Sequence, residues 1–249
     1  MRATAIADIN VNVVKPILLA SFFGLLASPA DVNRIFPVLA AFALALMAAT
    51  LLLGLSLGDV RASMRELSAA ESRRAALRSE AERSSSEAQQ LRAKIEELRG
   101  VERWKSVHFL SGLLSAVVVM FVAGVAITYF VGTSRWCREV VDAYHLDIEL
   151  ARASARLKRR TFPVVVTAMV GLVVVAALGG ASDPGANLQL EPPGSLGWND
   201  IHFAAALLVL FLVAWAYYVA WSNITEHQHV MTKIMDEVKR IRAERGLPD

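Results

Sequence analysis

Four stretches of this chain contain no Asp, Glu, Lys or Arg: 37–58, 107–131, 163–180 and 201–221, each of 18 to 25 residues. About 20 apolar residues cross a hydrocarbon core of roughly 30 Å. Inside lipid every backbone polar group must be paired within its own segment, so each stretch is expected to be helical. The rest of the 249 residues agrees. The chain is 55% hydrophobic and only 20% charged, with a mean hydropathy of +0.44, too apolar for an ordinary soluble domain. The fold class read from this pattern is an all-α integral membrane protein with four transmembrane helices.

The boundaries of the four runs echo one another. Arg34-Ile35-Phe36-Pro37-Val38 opens the first and Arg160-Thr161-Phe162-Pro163-Val164 the third. Trp104 through His108-Phe109 opens the second, and Trp198 through His202-Phe203 the fourth. The order RxFPV, WxxxHF, RxFPV, WxxxHF reads as a two-helix unit duplicated in parallel, its copies related by an axis along the membrane normal. Coincidence is the alternative, because Phe-Pro and Trp both suit membrane boundaries. From Pro37 to Trp104 is 67 residues, but from Pro163 to Trp198 only 35, so the first copy carries an insert.

That insert, 59–105, is charged and rich in Ala and Ser. Apolar or small residues recur in steps of three and four from Val60 through Leu67 and Ala70, and again from Leu77 through Leu91, Ile95 and Leu98, with Arg74 as a break. This is coiled-coil spacing with a thin core. A single 47-residue helix would carry the chain roughly 70 Å from the bilayer, yet the chain must return for the second run. Ser84-Ser85-Ser86-Glu87 offers a turn and a capping box between Ser84 and Glu87. The expectation is an antiparallel helical hairpin with arms 59–83 and 87–105. One amphipathic helix lying on the surface is the alternative.

Elsewhere, 133–160 is expected to be an amphipathic helix outside the membrane, and 181–200 a Pro/Gly-rich loop. Residues 222–249 are expected to extend the fourth helix through the seam Ile224, His227, Met231, Ile234, Val238 and Ile241. Residues 1–36 hold an apolar stretch, Ile17–Ala27, too short to span, which reads as interfacial or re-entrant. Fifteen Lys and Arg flank one side of the bilayer, in 1–36, 132–161 and 222–249. The insert holds eleven, balanced by nine acids, and the 181–200 loop none. Basic residues stay inside. Both termini are therefore expected in the cytoplasm, with the insert outside, in a bacterial-type inner membrane.

Chemistry-bearing residues are sparse. Cys137 is the only cysteine, so neither an internal disulfide nor a CxxC or CxxCH motif exists. No HExxH, GxSxG or phosphate-binding glycine loop occurs, and no Asp, Glu, Lys or Arg lies within a run to mark an ion pathway. The net charge of +3 and a pI near 9.2 suit anionic headgroups. The interleaved acids argue against nucleic acid. Neutral imidazoles at His108 and His202, placed alike in the two copies, form the one candidate cofactor pair, as axial ligands of a b-type haem. In this reading Leu113, Val117, Leu207 and Phe211 line the slot, beside Gly112 and Ala206. The plainer alternative is a pair of interfacial histidines beside belt tryptophans. Glu226, His227 and His229 read as a solvated face, because residues two apart on a helix point to different sides. No metal site and no catalytic residue is expected.

Two functional readings follow. The first is a non-catalytic membrane subunit that scaffolds or stabilises a larger complex, for example an energy-converting one, with other membrane subunits or copies of itself as partners. The second is an electron-transfer subunit holding haem b between His108 and His202.

Overall fold

A computed structural model describes residues 29–58, 60–77, 85–183 and 197–246. Five helices and no strand are found among them. These are α1 (Pro29–Ser56), α2 (Val60–Ala76), α3 (Ser86–Tyr144), α4 (Ile148–Ser182) and α5 (Trp198–Glu244). All but α2 contain a stretch long and apolar enough to cross a membrane. α1 and α4 each pack beside α3 and α5, and α3 approaches α5 across the middle.

Several boundaries differ from the sequence reading. α1 begins at Pro29, so 29–36 form the opening turns of the first spanning helix; residues 1–28 lie outside the described residues. Pro37 and Pro163 therefore stand inside α1 and α4 rather than in a first turn. Each removes one backbone bond to the residue four before it. α3 does not break near 106 or 132 but runs unbroken for 59 residues. Nothing in Trp104–His108 or Val131–Thr133 stops a helix. The segment 133–160, expected as one helix, is two helix ends meeting at a turn. His145 adopts a left-handed φ of 52° and closes α3, and Asp147 caps α4 by accepting from the Glu149 N–H at 2.9 Å.

α2 packs on the first turns of α3 through Leu67, Ala70, Ile95 and Leu98, flanked by Met64 and Leu91. Leu77 and Ala88 line one cleft further along the pair. Lys94 and Arg99 reach across to Glu66 and Glu71 at 2.9 and 3.0 Å. Ser85, not Ser84, is the N-cap of α3, accepting from the Ala88 N–H at 3.2 Å. A run of three serines offers three caps, and spacing alone does not choose among them. The connection 78–84 lies outside the described residues.

One continuous core joins α1, α3, α4 and α5. Its registers in α3 and α5 match at an offset of 94 residues. Ser115, Val119, Val122, Ala123, Ala126, Tyr129, Phe130 and Cys137 are buried in α3. Their counterparts Val209, Val213, Ala216, Tyr217, Ala220, Asn223, Ile224 and Met231 are buried in α5. In α1 and α4 the burial matches at an offset of 125: Phe36, Ala40 and Ala43 against Thr161, Val165 and Ala168. The RxFPV echo, offset by 126, is thus one residue out of step with the packing. Phe36 is fully buried and Phe162 only partly so. Past Ser115 and Val209, toward α2 and the 184–196 connection, no described residue of α3 from 99 to 114 or of α5 from 198 to 208 is buried. Beyond the other ends of the apolar runs, α3, α4 and α5 continue as a three-helix bundle. Its core holds Cys137, Val141, Leu157, Ile224, Met231, Ile234 and Val238.

Candidate functional site

The two histidines of the WxxxHF motifs occupy equivalent seats. The imidazole of His108 lies over Gly54 of α1, where an added Cβ would come within 2.8 Å of its Cε1. His202 lies over Gly179 of α4, where the same atom would come within 3.0 Å. The two glycines are 125 residues apart, the offset that relates burial in α1 to burial in α4. A side chain at either glycine would enter the ring's space, so the ring would have to shift.

His108 Nδ1 lies 3.2 Å from the Thr50 carbonyl, four residues before Gly54. A carbonyl only accepts, so Nδ1 carries the proton and donates, and Nε2 keeps its lone pair. His202 Nδ1 is buried and turned to the Val175 carbonyl, four residues before Gly179, but does not complete a hydrogen bond. Thr50 Oγ1 is likewise buried and unbonded. Lys105 Nζ of α3 meets Asp183 Oδ1, the C-cap of α4, at 2.9 Å.

Two sequence-based details need correction. The run 107–131 would put His108 in the first turn of a helix, but it lies 22 residues into α3, so no helix N-terminus acts on its ring; only His202, near the start of α5, has that environment. Leu113, Val117 and Phe211 are 55 to 66% exposed and Leu207 is 37% exposed. They do not close around a flat macrocycle, and Gly112 instead faces Thr50 of α1. The histidines are each held in the seam of their own helix pair. No ring contact joins them among the described residues.

The sequence reading misplaced a third histidine. His227 is fully buried, whereas His229 and Glu226 are exposed. Its Nε2 lies 2.7 Å from Ser154 Oγ, which donates to Ser134 Oγ at 2.9 Å. Its Nδ1 faces the Tyr129 hydroxyl at 3.4 Å, and Phe130 packs edge-on against the ring. One proton arrangement uses every hydrogen once: Tyr129 donates to Nδ1, Nε2–H donates to Ser154, and Ser154 donates to Ser134. His227 lies six residues past the apolar run. Burial, with no carboxylate beside it, holds the imidazole well below its ordinary pKa range. The seam Ile224–His227–Met231 was the usable signal, because its spacing puts His227 inward.

Two further bonds belong to the same set. Asn223 donates to Thr161 Oγ1 at 2.9 Å, and the Tyr217 hydroxyl donates to the Val119 carbonyl at 2.9 Å. The His227 network and the Asn223–Thr161 bond tie α3, α4 and α5 together where the spans end, and the Tyr217–Val119 bond joins α5 to α3 within the spans. The Ser154–His227 distance would suit a nucleophile and its base. Ser154 is 0% exposed, however, and no substrate carbonyl can approach its oxygen. Hydrogen-bonded clamping of three helices is what this arrangement can do.

No group of three or more His, Cys, Asp or Glu that could hold a metal ion occurs among the described residues. No protein-family model matches the chain, and no curated protein and no solved structure shows significant similarity to it.

Proposed function

We propose that the chain is a non-catalytic integral membrane subunit that organises or stabilises a larger membrane complex. The observation that carries this reading is the unbroken α3. One helix of 59 residues, about 90 Å long at the standard rise, forms part of the α2 arm, crosses the core and ends in the three-helix bundle. A rod of this kind fixes two extramembrane surfaces relative to each other. The arm itself has a core of four buried side chains, little for an isolated helix pair, so contact with a neighbour would steady it. The arm is read as a helical hairpin outside the membrane, with both termini cytoplasmic in a bacterial-type inner membrane.

The duplicated two-helix unit belongs to the same reading. Its support is the matched burial at offsets of 94 and 125 and the paired glycine seats under His108 and His202. The test of function is cross-linking in native membranes through Lys94 and Lys105. Discrete adducts with a second subunit or a second copy are expected, and should be lost when 60–102 are replaced by a short loop. A chain that forms no adduct overturns the reading.

A second reading has one observation in its favour. The Thr50 carbonyl fixes the His108 tautomer that leaves Nε2 free, the arrangement a metal-binding imidazole requires. On that basis His108 and His202 would hold haem b for electron transfer. A reduced-minus-oxidised band near ~560 nm in the purified protein, lost in His108→Ala and in His202→Ala, is its signature. A colourless protein overturns it.

A further inference from the structure

We propose that the Lys158–Arg159–Arg160 turn of α4, with Arg34 of α1 as its counterpart on the opposite flank, binds the phosphate headgroups of anionic phospholipids. The inference rests on reading the apolar runs as membrane spans and is independent of the subunit reading.

Arg34, Arg159 and Arg160 are exposed, and Lys158 is half-buried. Among the described residues none of the four has a carboxylate partner. Several cations elsewhere in the three-helix bundle are paired. Arg152 and Arg156 share Glu149, Arg135 pairs with Glu139, and Arg240 with Glu237 and Glu244. No acid occurs between Glu149 and Asp183, nor between Asp31 and Asp59. The Lys158–Arg160 turn and Arg34 thus each border an apolar run that carries no acid.

Two hydrogen bonds fix their level. Asn223 of α5 holds Thr161, beside Arg160, and Thr225 of α5 holds Asn33, beside Arg34, at 2.9 and 2.8 Å. Neighbouring positions on α5 thus set Arg160 and Arg34 at nearly one depth, on the two helices that flank the core. Directly beyond them, Val166 and Val170 of α4 and Val38 and Phe42 of α1 are exposed. A ligand fitting both features has a phosphate at the cations and acyl chains along these faces. An acidic peptide would match the charge and leave the apolar faces uncovered. Each basic residue near an anionic surface strengthens binding about fivefold.

The test counts retained lipid by native mass spectrometry of the full chain in detergent, titrated with phosphatidylglycerol and phosphatidylcholine at equal concentration. Phosphatidylglycerol should be retained at least about tenfold more strongly. The triple variant Lys158→Gln, Arg159→Gln, Arg160→Gln should lose most of that preference. The control Arg152→Gln, Arg156→Gln should keep it. Equal retention of the two lipids by the unaltered chain, or an undiminished preference in the triple variant, overturns the proposal. Should the triple variant not fold, salt decides: at about 0.5 M the preference should collapse by screening, and its persistence overturns the proposal.

Discussion

His227 Nε2 stands 2.7 Å from Ser154 Oγ, both side chains fully buried, joining α5 to α4 just beyond the apolar runs. Removing one side of a buried polar pair leaves the other unsatisfied, at about 1–3 kcal/mol. His227→Ala also opens a cavity among Tyr129, Phe130 and Ser154. It should cost about 2–4 kcal/mol in all, measured by unfolding in detergent. In a double-mutant cycle with Ser154→Ala the two changes should be non-additive; additive effects would show that the pair is not coupled.

The glycine seats make a second prediction. A methyl group on Gly54 would come within 2.8 Å of the His108 ring and displace it from the Thr50 carbonyl. Gly54→Ala should destabilise the protein by about 1–2 kcal/mol. The same change should be nearly neutral in a His108→Ala background, where the clashing ring is gone. An equal cost in both backgrounds would contradict the packing described.

Cys137 has 0% exposure and lies in the core of the three-helix bundle. A maleimide should fail to label it in the folded protein from either side of the membrane and should label it on unfolding. Orientation therefore needs introduced probes on a Cys137→Ser chain. An impermeant reagent applied outside should modify Ser72→Cys in the arm and Gly185→Cys, and spare Lys239→Cys in α5. The reverse pattern would invert the topology.

The arm should open independently of the spans. Ile95 is buried between α2 and α3 in a small cluster with Leu67, Ala70 and Leu98. Ile95→Ala should lower the arm's local stability by about 2–3 kcal/mol. Hydrogen exchange should rise across 60–76 and 86–103 and stay unchanged across 115–130. Faster exchange in both regions would mean that they unfold as one unit.

Much of the fold is legible in the sequence because bilayer thickness imposes it. Three of the four charge-free runs lie wholly within long helices, and the first outlasts α1 by two residues. Boundaries are less legible, since a helix ends only where something stops it. Trp104–His108 contains no such signal, and α3 passes straight through. The stop at His145 rests on a left-handed backbone conformation that Tyr-His-Leu-Asp does not advertise. The site was half legible. The matching positions of His108 and His202 are visible as text. Their seats on Gly54 and Gly179 depend on the register between helices, which spacing along one helix does not give. His227 and His229 stand two apart and suggest a solvated face, but the three- and four-residue steps of the seam set His227 apart.

The central claim is that this chain works as part of a larger membrane assembly. Its most direct test is the mass of the particle released from native membranes in mild detergent, measured by native mass spectrometry with the lipid contribution removed. The account predicts a discrete mass well above the 27.1 kDa of one chain, composed of this chain and stoichiometric partners or further copies, and reduced when the arm is replaced. A particle of one chain alone, unchanged by loss of the arm, would contradict it.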